Sequence, residues 1–339
     1  MYTPGKGLTL LAFTEKGFTL AQSLGEALGG QAFCSKHIEG FKLADWTKTA
    51  FASGDDIIFV GAVGIAVRAI APCLVSKDTD PAVVAVDERG RFAVPLVSGH
   101  LGGANDLARN IAAACGATPV ITTATDANGL WAVDEWARRQ GLRVTDIHRI
   151  VNVSSKILEG KTVTVNSPWP IAGEPPKGLE VTDTEDADVL VTLRQHTLPG
   201  LALTPHAAVL GVGCRRDTPR DAIEAAFGRF VRDTGIYPAC ICQAATIDLK
   251  AHEQGLLDFC SAHDWPLTCY SAAELNGVQG AFTPSKFVSS ITGVDNVCER
   301  SCVLDSQGTL VEKKYAGGGV TLALAVKPIL LDWRWMQDE

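Results

Sequence analysis

The chain has 339 residues, of which 46% are hydrophobic and 20% charged, and its formal net charge is −8. Such a length and composition suit two or three ordinary globular domains. The acidic balance counts against nucleic acid or an anionic membrane as partner, while leaving room for an anionic small molecule at local clusters of Arg and Lys.

In chain order, the pattern alternates strand and helix. LTLLAFT reads as a strand, FTLAQSLGEALG as a helix, QAFCS as a strand, WTKTAFASG as a short helix and DIIFVG as a strand. A glycine loop, the helix IAVRAIAP, the strand AVVAVDE, a turn at Glu88-Arg89-Gly90 and the strand RFAVPLVS follow. An alanine-rich helix from Ala104 and the strand TPVITTAT complete a βαβ rhythm, which predicts a three-layer αβα domain over residues 1–137 with a mostly parallel sheet. Residues 138–205 carry short strands around the Pro- and Gly-rich NSPWPIAGEPPKG and read as a small α/β linking domain. Residues 206–328 form a third, α/β unit. It starts at AAVLGVG, has helices expected to begin at Thr218-Pro219 and Thr283-Pro284, and ends in two strands around Gly317–Gly319. Residues 329–339, which contain LLDWRWMQDE, read as a peripheral tail.

No apolar run approaches the roughly 20 residues that span a bilayer. The N-terminal stretch has one short apolar segment and no small-residue cleavage site, so a cytoplasmic location is expected. The ten cysteines then read as reduced, mostly buried hydrophobes. Cys240-Ile-Cys242 is too tight, and Cys298-x-x-x-Cys302 too isolated, to suggest a protein-bound metal. No cofactor is expected, and the sequence does not give the oligomeric state.

Ser98-Gly99-His100-Leu101-Gly102-Gly103-Ala104-Asn105 stands where a strand hands over to a helix. Glycines there allow close backbone approach, and a helix start offers N–H groups to an anion. Gly61, Gly64 and Arg68 sit at a similar junction, where open α/β sheets bind ligands; a tight packed turn explains them equally well. Thr123 and Asp126 follow another strand and suit either a substrate contact or a cap for a helix near Leu130. Arg215 and Arg216 precede a helix start, so guanidinium charge and helix dipole can act together on a carboxylate. Weaker candidates are Asp248 with Lys250, Ser285 with Lys286, and Gly318 in the glycine turn after Lys313 and Lys314.

FVGAVGIAVRAIAP, SKDTDPAVVAVDERGRFAVPLVSGHLGGANDLARNIA and TPVITTATD resemble the N-terminal part of the cobalt-precorrin-5A hydrolase (CbiG) family. LGVGCRR, ATIDLK, FTPSKFV, TGVDNVCE and AGGGVTLALA resemble its C-terminal part. The resemblance implies an enzyme of cobalamin (vitamin B12) biosynthesis, by the oxygen-independent route. Its substrate is a ring-contracted cobalt tetrapyrrole bearing a δ-lactone. Water opens the lactone and a two-carbon unit leaves as acetaldehyde, giving cobalt-precorrin-5B. The cobalt belongs to the substrate.

These expectations combine into a hydrolase with its site in a cleft between the N- and C-terminal domains. His100 is the expected base, because an unperturbed imidazole titrates near neutrality. Asp126 is the reserve. Gly61, Gly64, Arg68, Ser98, Gly99, Gly102, Gly103, Asn105, Thr123, Arg215, Arg216, Lys286 and Gly318 are expected to bind substrate. The alternatives are a corrinoid carrier without catalysis, and a nicotinamide-dependent dehydrogenase. The second lacks the Gly-x-Gly-x-x-Gly fingerprint.

Overall fold

The structure is a computed structural model that describes residues 7–77 and 79–334; the side chains of Lys286 and Phe287 lie outside the described residues. The chain divides into two compact units, residues 1–138 with 157–159, and residues 139–156 with 160–339.

The first unit contains β1 (Leu8–Ala12), α1 (Glu15–Leu28), β2 (Gln31–Cys34), α2 (Leu43–Ser53), β3 (Asp56–Val60), α3 (Val63–Ile70), β4 (Val83–Val86), β5 (Phe92–Val97), α4 (Ala104–Cys115), β6 (Thr118–Pro119), α5 (Ala124–Ala127) and α6 (Val133–Arg139). The sheet order is β2-β1-β3-β4-β5-β6. Continuous apolar strands such as DIIFV are buried on both faces, as a parallel sheet between helix layers demands. Ala21, Leu24, Leu107 and Ile111 from α1 and α4 cover one face. Ala50, Ala66 and Ile70 from α2 and α3 cover the other. The three-layer arrangement expected from the sequence is therefore present.

One reversal changes the placement of the loops. β1 to β4 run parallel, but the short turn at Glu88–Gly90 makes β5 antiparallel to β4, and β6 then runs parallel to β5. A tight turn returns the chain alongside itself, so it forces this reversal. The carboxyl ends of β5 and β6 thus lie at the sheet edge opposite to those of β1 to β4. β6 is also shorter than TPVITTAT suggests: after Pro119 only the Val120 N–H continues the pairing, to Ala93 O at 2.8 Å.

The second unit begins with β7 (Leu142–Val144), α7 (Ile150–Leu158), β8 (Val163–Asn166), β9 (Ile171–Ala172), β10 (Leu179–Val181), β11 (Val189–Val191) and β12 (Leu201–Pro205). β10-β8-β11-β12-β7 form a sheet, parallel except for β7. It continues with β13 (Ala208–Cys214), α8 (Arg220–Thr234), β14 (Ile241–Ile247), α9 (Gln254–Ala262), β15 (Leu267–Tyr270), α10 (Ala272–Gly277), α11 (Lys286–Thr292), α12 (Val297–Ser306), β16 (Thr309–Gly317), β17 (Val320–Val326) and β18 (Leu331–Asp332). Here the sheet order is β15-β14-β13-β17-β16, with β13, β14 and β15 parallel. Phe227, Phe230, Leu256 and Phe259 of α8 and α9 pack on one face. Cys298 and Cys302 of α12 pack on the other. α12 comes so close that a Cβ on Gly211 would stand 1.8 Å from Cys298 O. Gly211 thus serves helix packing within the strand rather than a ligand loop.

Three local expectations are corrected. The start of α8 is marked by Pro219, and Thr218 Oγ1 instead donates to Arg215 O at 2.8 Å. α11 is capped by Ser285, whose hydroxyl accepts from Val288 N; Thr283 is bound to the buried Glu299 through its N–H and its hydroxyl. Nor is the end of the chain simply a peripheral tail. β18 pairs with β9, and Leu331 and Trp333 are 2% and 1% exposed. Residues 335–339 lie outside the described residues.

Candidate functional site

Two sites gather the residues singled out from the sequence. The first is an ion cluster at the carboxyl edge of β5 and β6, wholly within the first unit. The 98–103 loop curls back on itself there. Ser98 has φ 58°, its O accepts the Ala104 N–H at 3.1 Å, and Gly99 O accepts the Asn105 N–H at 3.0 Å. The Gly103 N–H goes to His100 O at 3.1 Å. A Cβ on Gly102 would lie 2.3 Å from Ser98 Cβ, and Gly103 has φ 88°. Hence the glycines serve close packing and a left-handed turn. The expectation that the start of α4 offers its amides to an anion is corrected, because these three N–H groups are already spent on carbonyls.

His100 sits between two carboxylates. Its Nε2 is 2.6 Å from Asp126 Oδ2, and its Nδ1 is 3.1 Å from Asp134 Oδ1. Only 12% of the side chain is exposed. Burial opposes the charged form, but the hydrogen bonds and negative charges of Asp126 and Asp134 overcome it and push the pKa up to about 10. His100 is therefore an imidazolium at neutral pH with both nitrogens engaged. Its expected role as a free base is corrected for that reason.

Asp126 fares no better as a base. Burial raises its pKa, yet hydrogen bonds from His100 and Thr123 and its other cationic contacts hold it well below the usual carboxylate range. Its oxygens accept from Thr123 Oγ1 at 2.5 Å, Arg109 Nη2 at 2.6 Å and Asn105 Nδ2 at 3.2 Å. Arg109 also bonds Asp106 at 3.0 Å, and Arg138 joins the same Asp106 while its Nε donates to His100 O at 2.8 Å. Glu135, 4% exposed, stands 3.7 Å from Arg109. His100, Asp126 and Glu135 could supply three ligand atoms within 4.8 Å of one another, but Arg109 already provides a cation to both carboxylates.

Asn105, Thr123, Asp126 and His100 thus do come together as expected. Ser98 belongs to the same loop but turns its hydroxyl to Asp80 O at 2.9 Å. Gly61, Gly64 and Arg68 do not join them. They lie at the carboxyl end of β3, on the opposite sheet edge, where Arg68 Nη1 reaches back to Gly64 O at 3.4 Å. Asp134, Arg109, Asp106 and Arg138 were missed in the sequence. The i,i+3 spacing of Asp106 and Arg109 was the one local signal.

The second site is a cavity of about 1250 Å³ within residues 213–321. It opens where β13 and β14 end, which is where open α/β sheets bind ligands. Arg215, Arg216, Lys250, Ser285, Lys314 and the Gly317 and Gly319 backbone all line it. The Arg215 N–H donates to Gly319 O at 3.1 Å, which ties the arginine loop to the glycine hairpin. Gly318 is the hairpin tip, with φ 63° and Arg229 Nη2 beside it, and does not line the cavity. The side chain of Lys286 falls outside the described residues. Lys250 is engaged with Glu253 Oε1 at 3.1 Å. Burial pushes the Cys214 thiol up despite the Lys250 charge, which disfavours a thiolate.

Against known families, residues 45–126 match the description "Cobalamin synthesis G N-terminal", residues 131–205 "Cobalamin biosynthesis central region", and residues 208–325 "Cobalamin synthesis G C-terminus". The chain belongs to the cobalamin synthesis G family. A member from Salmonella typhimurium, named cobalt-precorrin-5A hydrolase, is 33% identical over 95% of this chain and 98% of its own. One of the same name from Priestia megaterium is 31% identical, over 82% of this chain and 80% of its own. A Methanocaldococcus jannaschii relative is 25% identical over 94% and 99% of the two chains. No helix among the described residues is long and apolar enough to cross a membrane.

Proposed function

We propose that the chain is a cytoplasmic cobalt-precorrin-5A hydrolase of cobalamin biosynthesis. The observation that carries this reading is the end-to-end match, all three family regions in order, to a relative of that name. Fold alone would not carry it. Water adds to the lactone carbonyl and the ring alkoxide leaves, taking a proton. The resulting hydroxyl then loses its proton as the adjacent carbon–carbon bond breaks. Acetaldehyde departs and the macrocycle carbon takes the electron pair and a proton.

With its pKa pushed up to about 10 by Asp126 and Asp134, His100 is held in its charged form. In this reading Asp126 and Asp134 keep the imidazolium paired, and no step of the reaction is assigned to it. Arg215 and Arg216 take substrate carboxylates, where a planar guanidinium can bind both oxygens at once. Cobalt enters with the substrate, and no resident cofactor is assigned.

A second reading, a corrinoid carrier, is favoured by one observation: both His100 nitrogens are occupied by carboxylates. Trapping of acetaldehyde from purified protein and its lactone separates the two. Equimolar release supports the hydrolase. Tight binding with the lactone recovered intact supports the carrier.

A further inference from the structure

The cavity in the second unit carries more than the two arginines. Its cationic side chains, Arg215, Arg216, Arg220, Lys250 and Lys314, outnumber its carboxylates, Asp217, Glu253 and Asp258, on a chain whose net charge is −8. Among the described residues no carboxylate pairs with Arg215, Arg216, Arg220 or Lys314, whereas Lys250 pairs with Glu253. Unpaired guanidiniums gathered around one cavity are costly in mutual repulsion and are relieved by an anionic ligand.

The remaining wall is apolar. Leu249 and Ile291 line the cavity while 62% and 63% exposed, and Val288, Val297 and Val320 line it too. Exposed large aliphatics at a cavity mouth mark a surface that a ligand covers. At about 1250 Å³ the space exceeds the roughly 300–1,000 Å³ typical of drug-sized ligands.

We infer that this cavity is by itself a binding site for a polycarboxylated, flat macrocycle. Arg215, Arg216, Arg220 and Lys314 hold the peripheral carboxylates, and Leu249 and Ile291 lie against the apolar ring face. That the ligand is a flat macrocycle, and a cobalt tetrapyrrole, rests on the proposed function; the cationic lining and the volume of the site do not. Every lining residue belongs to the second unit.

The test uses the full chain and two probes: cobyrinic acid, a cobalt corrin with free side-chain carboxylates, and its fully methyl-esterified form. Binding is measured by calorimetry at low and high salt. The acid should bind at least about tenfold more tightly than the ester and weaken with salt, as expected for charge-assisted hydrogen bonds. Arg220→Gln and Lys314→Gln should each weaken the acid several-fold and leave the ester unchanged. Ile291→Ser should weaken both. His100→Gln, assayed where it remains folded, should leave acid binding unchanged.

Equal binding of acid and ester, or acid binding insensitive to Arg220 and Lys314, overturns the inference. Acetaldehyde release with unchanged KM in the Arg220 and Lys314 variants overturns it too, and leaves the hydrolase reading standing. Loss of acid binding in those variants of a protein that releases no acetaldehyde upholds the site and removes the hydrolase reading instead.

Discussion

His100→Gln should cost stability before it costs chemistry. The substitution keeps a hydrogen-bonding side chain between Asp126 and Asp134 but removes the positive charge that both carboxylates share. Raising the pKa from 6.5 to about 10 corresponds to about 5 kcal/mol of preference for the imidazolium, at 1.36 kcal/mol per unit. Removing one partner of a buried pair costs about 3–5 kcal/mol by an independent route. Because the folded value lies above the unfolded one, this contribution is fully present below about pH 6.5 and is lost as pH rises through about 10. The depressed Asp126 value is the same attraction seen from its partner and is not added. Hydrogen exchange on the peptide spanning residues 98–116 reads the first unit directly. Near pH 7 the variant should open with protection reduced by two or more orders of magnitude. Unfolding midpoints of variant and parent should converge above about pH 10. A variant with full protection at pH 7, or a parent imidazole that titrates near 6.5 by NMR, would refute the ion-cluster account.

Gly102→Ala should destabilise the first unit more than Gly103→Ala does. A Cβ at Gly102 meets Ser98 Cβ at 2.3 Å, whereas Gly103 pays mainly for φ 88°, roughly 1 kcal/mol or somewhat more; melting curves of the two variants decide the order. Trp333→Ala should lose about 3–5 kcal/mol, since the ring is 1% exposed, and denaturant midpoints would show whether this end of the chain is structural. Arg215→Lys should raise KM for the lactone with little change in kcat, because an ammonium cannot bind a carboxylate through a planar fork; unchanged kinetics would return Arg215 to solvated surface charge.

Much of the architecture was legible. Apolar runs such as DIIFV and AAVLGVG, separated by amphipathic stretches, predicted the helix-covered sheets correctly. The reversal at Glu88–Gly90 was also written in the sequence as a short turn. Its consequence is that FVGAVG and SGHLGG occupy opposite sheet edges, and a common cradle built from both is lost. α12 escaped because VCERSCVLDS has no polar face: Cys298, Glu299, Ser301 and Cys302 are all buried. Glu299 can be buried there because Thr283 and the Lys314 N–H satisfy it, contacts made at long sequence range. His100 shows the same limit. Its glycine setting is visible, but Asp134, which helps fix its charge, is 34 positions away. Arg215 and Arg216 were readable as a pair, and the cavity adds Arg220, Leu249 and Ile291, which only folding assembles.

The proposed reaction is hydrolysis at the lactone carbonyl followed by loss of the two-carbon unit. A single turnover of the lactone substrate in heavy-oxygen water, analysed by mass spectrometry of the macrocycle with parallel acetaldehyde trapping, tests it most directly. One heavy oxygen in the macrocycle's new carboxylate, and acetaldehyde equimolar with macrocycle product, are expected. An unlabelled macrocycle of unchanged mass, with no acetaldehyde formed, would contradict it.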